Sequence, residues 1–171
     1  MNRCSLVSLS AIAIAVMGLS VLSGNALAQQ KLLKEQLVGA WALVSCDVTV
    51  DGAKQPYCAD PNPNGILIFD ASGRYATITA ARGRPKISTG NRPAVPAEEY
   101  KAAAMGLVAN FGTWSVNEAD KTLATHVEGA LFSNIEGADV KRSVSLSGDE
   151  LKLTTPSPAA ATNAAVWRRA K

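Results

Sequence analysis

A single histidine, three cysteines and the lack of any long apolar run after residue 28 bound the chemistry open to this 171-residue chain. One imidazole, His126, cannot build a histidine cluster, and the cysteines show no Cys-x-x-Cys spacing, so no metal centre is expected. There is no Gly-x-Ser-x-Gly, no phosphate-binding glycine loop and no His-Glu-x-x-His, which leaves covalent catalysis without its usual residues. No cofactor is expected either, since one histidine is a thin basis for haem. A dominant charge is also missing. The formal net charge is only +3, far from the clustered basic face of a nucleic-acid binder. Past the N-terminus, no apolar run of about 18 residues follows that would span a membrane as a helix.

What is present begins with a leader. Arg3 supplies a short positive region, Leu6 to Leu22 is apolar or small, and Ala26-Leu27-Ala28 forms a small-x-small cleavage site. Residues 1–28 therefore read as a signal peptide, and the chain is expected in the periplasm or secreted. Cys4 precedes the apolar run instead of ending it, so the lipoprotein pattern is absent. Residues 29–171 form one domain's worth of chain, expected to be a monomer and able to bury a core unaided. That mature segment keeps Cys46 and Cys58, eleven residues apart by intervening count. In an oxidising compartment they suit a disulfide, worth about 2–3 kcal/mol in the chain-entropy model. Two separate buried thiols are the alternative.

Taken in order, residues 29–36 predict a half-turn of helix, and 37–45 a first strand that continues to Val50 beyond a bend near Cys46. Asp51-Gly52 is a turn. Residues 53–64, with three prolines, predict a loop. Residues 65–69 and 74–79 alternate as a hairpin about Asp70–Gly73. The loop 82–96 carries Arg82, Arg84, Lys86 and Arg92 with no acid. A helix is predicted from Ala97 to Asn110, with Glu98 and Glu99 in its first turn and Tyr100, Ala103, Ala104, Leu107 and Val108 on one apolar face closing the barrel. Strands follow at 111–116, 122–129, 139–146, 151–155 and 163–169. About eight strands joined by short turns, with one inserted helix, predict an all-β fold: a single antiparallel barrel or sandwich.

LVGAWALVS, GILIFDASGRY, FGTWSV, THVEGALFSN, RSVSLSGDELKLTTP and VWRR occur in that order. In this the chain resembles the bacterial and fungal lipocalin-like domain family, from about Leu37 to Arg169. The resemblance implies a small antiparallel lipocalin-like β-barrel and no particular activity, since a shared fold does not set function. It also implies a stacked plug at the barrel base, Trp41 against Arg168 or Arg169. The Cys46/Cys58 pair departs from the family pattern, as does a single His126 where relatives often carry two in succession.

One polar constellation stands out. In 139–146, Arg142 shares a face with Val140, Val144 and Leu146, an apolar and hence inward row. A buried guanidinium needs an acid or an anionic ligand to meet it. Glu128 is the expected partner, with His126 two residues away, both taken to face the same cavity. His126, Glu128, Arg142, Trp114 and Tyr75 are thus the expected ligand-binding residues, for a small apolar or amphipathic molecule. If the protein is an enzyme, an isomerase, cyclase or hydratase, His126 and Glu128 carry the acid–base steps. A structural Glu128–Arg142 pair is the plainer alternative, and an envelope interaction or inhibitor module using loops 53–64 and 82–96 is another. Large aromatics more often fill cores, so Trp41, Trp114 and Trp167 are read mainly as core. Tyr75, on a face with threonines, suggests a wetter surface.

Overall fold

Inward and outward side chains alternate along most of the described strands, and the chain closes into a barrel. The computed structural model describes residues 32–50, 52–56, 62–156 and 162–171. The leader at 1–28 and Cys58 lie outside the described residues. Nine strands occur among them: β1 (Gly39–Val50), β2 (Ala53–Pro56), β3 (Asn64–Phe69), β4 (Arg74–Ala80), β5 (Leu107–Asn117), β6 (Thr122–Ala130), β7 (Asp139–Ser147), β8 (Glu150–Pro156) and β9 (Thr162–Arg169). All pairings are antiparallel, and β1 bonds both β3 and β9, so eight strands form a closed ring in the order β1-β3-β4-β5-β6-β7-β8-β9. Closure leaves that ring no open edge.

The predicted eight strands match that ring. β2 is additional and falls in the segment predicted to be a loop. It pairs with Asp47–Val50 of β1, beyond the reach of β3, and Pro56 is tolerated because it ends an edge strand. β1 carries an irregularity between Leu43 and Ser45, close to the predicted bend.

The inserted helix differs more. α2 spans Ala97–Met105, none of its residues is buried, and Met105 is 76% exposed. Leu107 and Val108, predicted on its apolar face, belong to β5, where Leu107 pairs with Ala80. The helix stops at Gly106 because ladder bonds to β4 outweigh a weak local preference. It is held to the loop before it: Ser88 N–H donates to Glu99 Oε2 (2.8 Å), and Tyr100 Oη donates to the Arg92 carbonyl (2.7 Å). The predicted closure of the barrel by this helix is therefore corrected.

A shorter helix does that task. α1 (Leu33–Leu37) lies at the end of the barrel where β1 and β4 begin and β9 finishes, and Leu37 is fully buried. Five residues are too few for a stable isolated helix, so tertiary contacts hold both ends. The Glu118 carboxylate, from the β5–β6 turn, accepts from the Leu33 and Lys34 amides at 2.8 and 2.9 Å. Arg169 donates to the Gln36 and Val38 carbonyls at 2.6 and 3.2 Å, while its guanidinium lies 4.1 Å from the Trp41 ring centroid. Trp41 itself is fully buried and donates Nε1–H to the Leu37 carbonyl (2.8 Å). The expected plug is thus present, made by Arg169. Above it, Phe69 and Trp114 pack at 4.7 Å between ring centroids, and Trp114 Nε1–H donates to the Asp70 carbonyl.

Candidate functional site

The barrel is filled at the α1 end and hollow towards the other. A cavity of about 310 Å³ lies in the hollow half, room for about ten water molecules. Phe69, Leu123 and Trp167 form its floor, and Thr79, Thr155 and Asn163 line it near the far strand ends. Tyr75, Thr77 and Thr79 are the inward row of β4, with Ile78 (48% exposed) outside. The threonine face of that strand, expected to be a wetter surface, is the cavity wall; its polarity belongs to the interior.

Four neighbouring strands place a polar group on that wall. Tyr75 (β4) donates its hydroxyl to Asn110 Oδ1 (β5) at 2.9 Å, and Arg142 (β7) donates to Thr125 Oγ1 (β6) at 2.9 Å. Thr125 is 3% exposed. Burial pulls the Arg142 guanidinium down from its ordinary value, opposed by the nearby Tyr75 phenol. Burial likewise pushes Tyr75 up, against the pull of Arg142. No carboxylate among the described residues pairs with Arg142. Its charge meets one neutral hydroxyl and the cavity, an arrangement that disfavours the empty state.

The expected partner is elsewhere. Inward residues of β6 are Leu123, Thr125 and Val127, all buried, which puts His126 and Glu128 on the outer face. Glu128 makes a two-pronged ion pair with Arg74, each bond 2.6 Å. His126 Nδ1 lies 2.8 Å from Asp139 Oδ1, its direct cross-strand neighbour on β7, beside a shallow outer groove that Ser115 and Lys141 also line. The cavity therefore gathers Arg142 and Tyr75 but not His126, Glu128 or Trp114, which lies beneath the floor. The physical reason is parity: opposite charge suggested Glu128 for Arg142, whereas the apolar majority of its strand sends Glu128 outward. Asn110 and Thr125 are cavity residues that the sequence reading does not name, and Trp167, read mainly as core, lines the cavity as well. Thr125 shares its strand face with Leu123 and Val127, and that signal was available in the sequence.

The Arg74 hydrogen bonds hold the Glu128 carboxyl below the usual carboxylate range. A folded value under the unfolded one means this pair's contribution is present above about pH 4.3 and disappears as pH falls through the lowered folded value. In an NMR pH titration Glu128 should titrate below the ordinary glutamate value, and Arg74→Ala should bring it back up towards that value. An unchanged midpoint in that variant would refute the assignment.

The model of a lipocalin-like domain family matches residues 38–170, most of the chain. The chain belongs to the lipocalin-like domain family. Among solved structures it is similar to a lipocalin-like protein from Bacteroides uniformis ATCC 8492, at 14% identity and a TM-score of 0.45, covering 78% of this chain and 98% of that one. It is also similar to a redesigned beta barrel, at 13% identity and a TM-score of 0.42, covering 81% and 95%. No curated protein matches it. A lipocalin-like barrel suits small-molecule binding in general, and the residues in this cavity must supply the particulars.

Proposed function

We propose that this lipocalin-like protein is an exported, non-catalytic carrier that binds a small amphipathic molecule inside the barrel, with the molecule's anionic group at Arg142. One observation carries the reading: a guanidinium faces a cavity without any carboxylate partner among the described residues. A carboxylate ligand supplies the missing countercharge through a two-pronged hydrogen bond, and Tyr75, Asn110 and Thr125 surround it with further polar groups. Phe69, Leu123 and Trp167 offer apolar area to the remainder. Such a lining, mostly apolar with a few convergent polar groups, is what small-ligand sites share. The acid–base reading through His126 and Glu128 lacks both residues in the cavity.

Export rests on the character of residues 1–28, and the proposed Cys46–Cys58 disulfide fits the same compartment. Cys46 lines the cavity from β1.

Native mass spectrometry of the protein from an exporting host, followed by solvent extraction, tests the reading. A stoichiometric small acid is the expected result, with the mature chain lighter by two hydrogens than its reduced form. A bare chain that also takes up no aryl or alkyl carboxylate at millimolar concentration would overturn it.

A further inference from the structure

Among the described residues, Arg142 is the only charged side chain that lines the cavity, and every other polar side chain there is neutral. Two hydroxyls beside the guanidinium have already committed their protons. Tyr75 donates to Asn110 Oδ1 (2.9 Å), and Thr125, which accepts from Arg142, donates to the Val140 carbonyl (3.4 Å). The basic loop adds no second charge to the wall. Arg82 Nε donates to the Asn62 carbonyl (3.0 Å), Arg84 reaches the Ala103 carbonyl (3.5 Å), and none of Arg82, Arg84, Lys86 and Arg92 lines the cavity.

We propose that the site admits an anionic group carrying one negative charge and discriminates against a compact group carrying two. This rests on the anionic-ligand reading above and narrows it: carboxylates, sulfonates and sulfate esters fit, and phosphate monoesters do not. Sequestering an ion costs free energy as the square of its charge, whereas attraction to one guanidinium grows only in proportion to that charge. Arg142 therefore offsets a first charge. A second charge on the same group adds about three times the desolvation cost for an equal increment of attraction. Hydrogen bonding points the same way. The guanidinium fork engages two oxygens, and with the protons of Tyr75 and Thr125 committed, the further lone pairs of a dianion meet few donors.

Phenyl sulfate and phenyl phosphate isolate the charge, since they match in shape and the phosphate loses its second proton near about pH 6. Calorimetric titration of the wild-type protein at about pH 7.5 should show the sulfate binding about tenfold more tightly or better. At about pH 5 the phosphate is singly charged, and the two affinities should agree within about twofold. The groups that line the cavity with Arg142 from the other strands, Tyr75, Asn110, Thr125, Thr155 and Asn163, keep their charge over that range, so the change reports the ligand. Arg142→Met should weaken both esters. A phosphate that equals or exceeds the sulfate at the higher pH, or a gap that persists at the lower one, would overturn the charge limit and leave the anionic-ligand reading intact. No binding of either ester at millimolar concentration, or sulfate affinity unchanged in Arg142→Met, would overturn both.

Discussion

Arg142→Met is expected to weaken binding of a carboxylate ligand by about 10²–10³-fold while leaving the barrel at least as stable. The two directions come from the same fact. Arg142 faces the cavity with one neutral hydrogen bond, to Thr125 Oγ1, and no carboxylate partner among the described residues. Sequestering a charge costs several kcal/mol after relaxation, and an apolar residue of similar length avoids that cost. Against it stands one lost hydrogen bond of about 1 kcal/mol, so a net gain on the order of 1 kcal/mol is expected. Binding goes the other way, because truncating one partner of a desolvated charge pair typically costs about 2–5 kcal/mol. Arg142→Lys should fall between, keeping the charge and losing the planar fork. Calorimetric titration with a carboxylate and urea denaturation of the apoprotein read the two effects separately. A clear loss of stability in Arg142→Met, with affinity unchanged, would make the residue structural and remove the basis of the proposed function.

The second large effect is predicted at Gly112. There the pairing of β5 with β6 steps from Phe111↔Gly129 to Gly112↔Val127, leaving Glu128 as the extra residue of a bulge. A Cβ on Gly112 would lie 1.9 Å from the His126 carbonyl oxygen and 3.0 Å from the Glu128 nitrogen, both backbone atoms. Backbone in a closed barrel cannot swing aside as a side-chain tip can. Gly112→Ala must force β5 and β6 apart, and a loss of more than about 3 kcal/mol is expected, overpacking added to broken ladder bonds. Gly90→Ala is the control: its Cβ meets nothing within 4 Å and its φ is unstrained. That variant should match the wild type or gain a few tenths of a kcal/mol. Similar urea midpoints for the two variants would show that the close approach is relieved more easily than the geometry implies. The bulge also shapes the outer surface, since it sets Glu128 and Gly129 together outside, with the Phe111 ring over the glycine.

Much of this was legible in residue order. Period-two alternation located the eight ring strands, Asp70–Gly73 announced the turn of one hairpin, and Arg142 stood out as a charge within an apolar row. Gly112 in a strand interior was a readable mark of a bulge or close approach that went unused. Local pattern ran out where two outcomes were locally nearly equal. Leu107 and Val108 suit a helix face as well as a strand, and only the ladder to β4 decides for the strand. Residues 53–56 lack strand character until Asp47–Val50 offers them an edge.

Alternation determined by itself that His126 and Glu128 share one face and Thr125 the other, because successive side chains must point to opposite sides of a strand. The apolar row of Leu123 and Val127 already marked that strand's interior face, and the tertiary structure alone decided that Arg142 meets a hydroxyl and an open cavity where a carboxylate was expected. The physical reason is that charge complementarity is judged through space. Arg74 and Glu128 are 54 residues apart in sequence, yet both lie outside the closed ring, where the bulge lets them meet. Arg142 lies only 14 residues beyond Glu128 in the chain, but on the opposite side of the barrel wall.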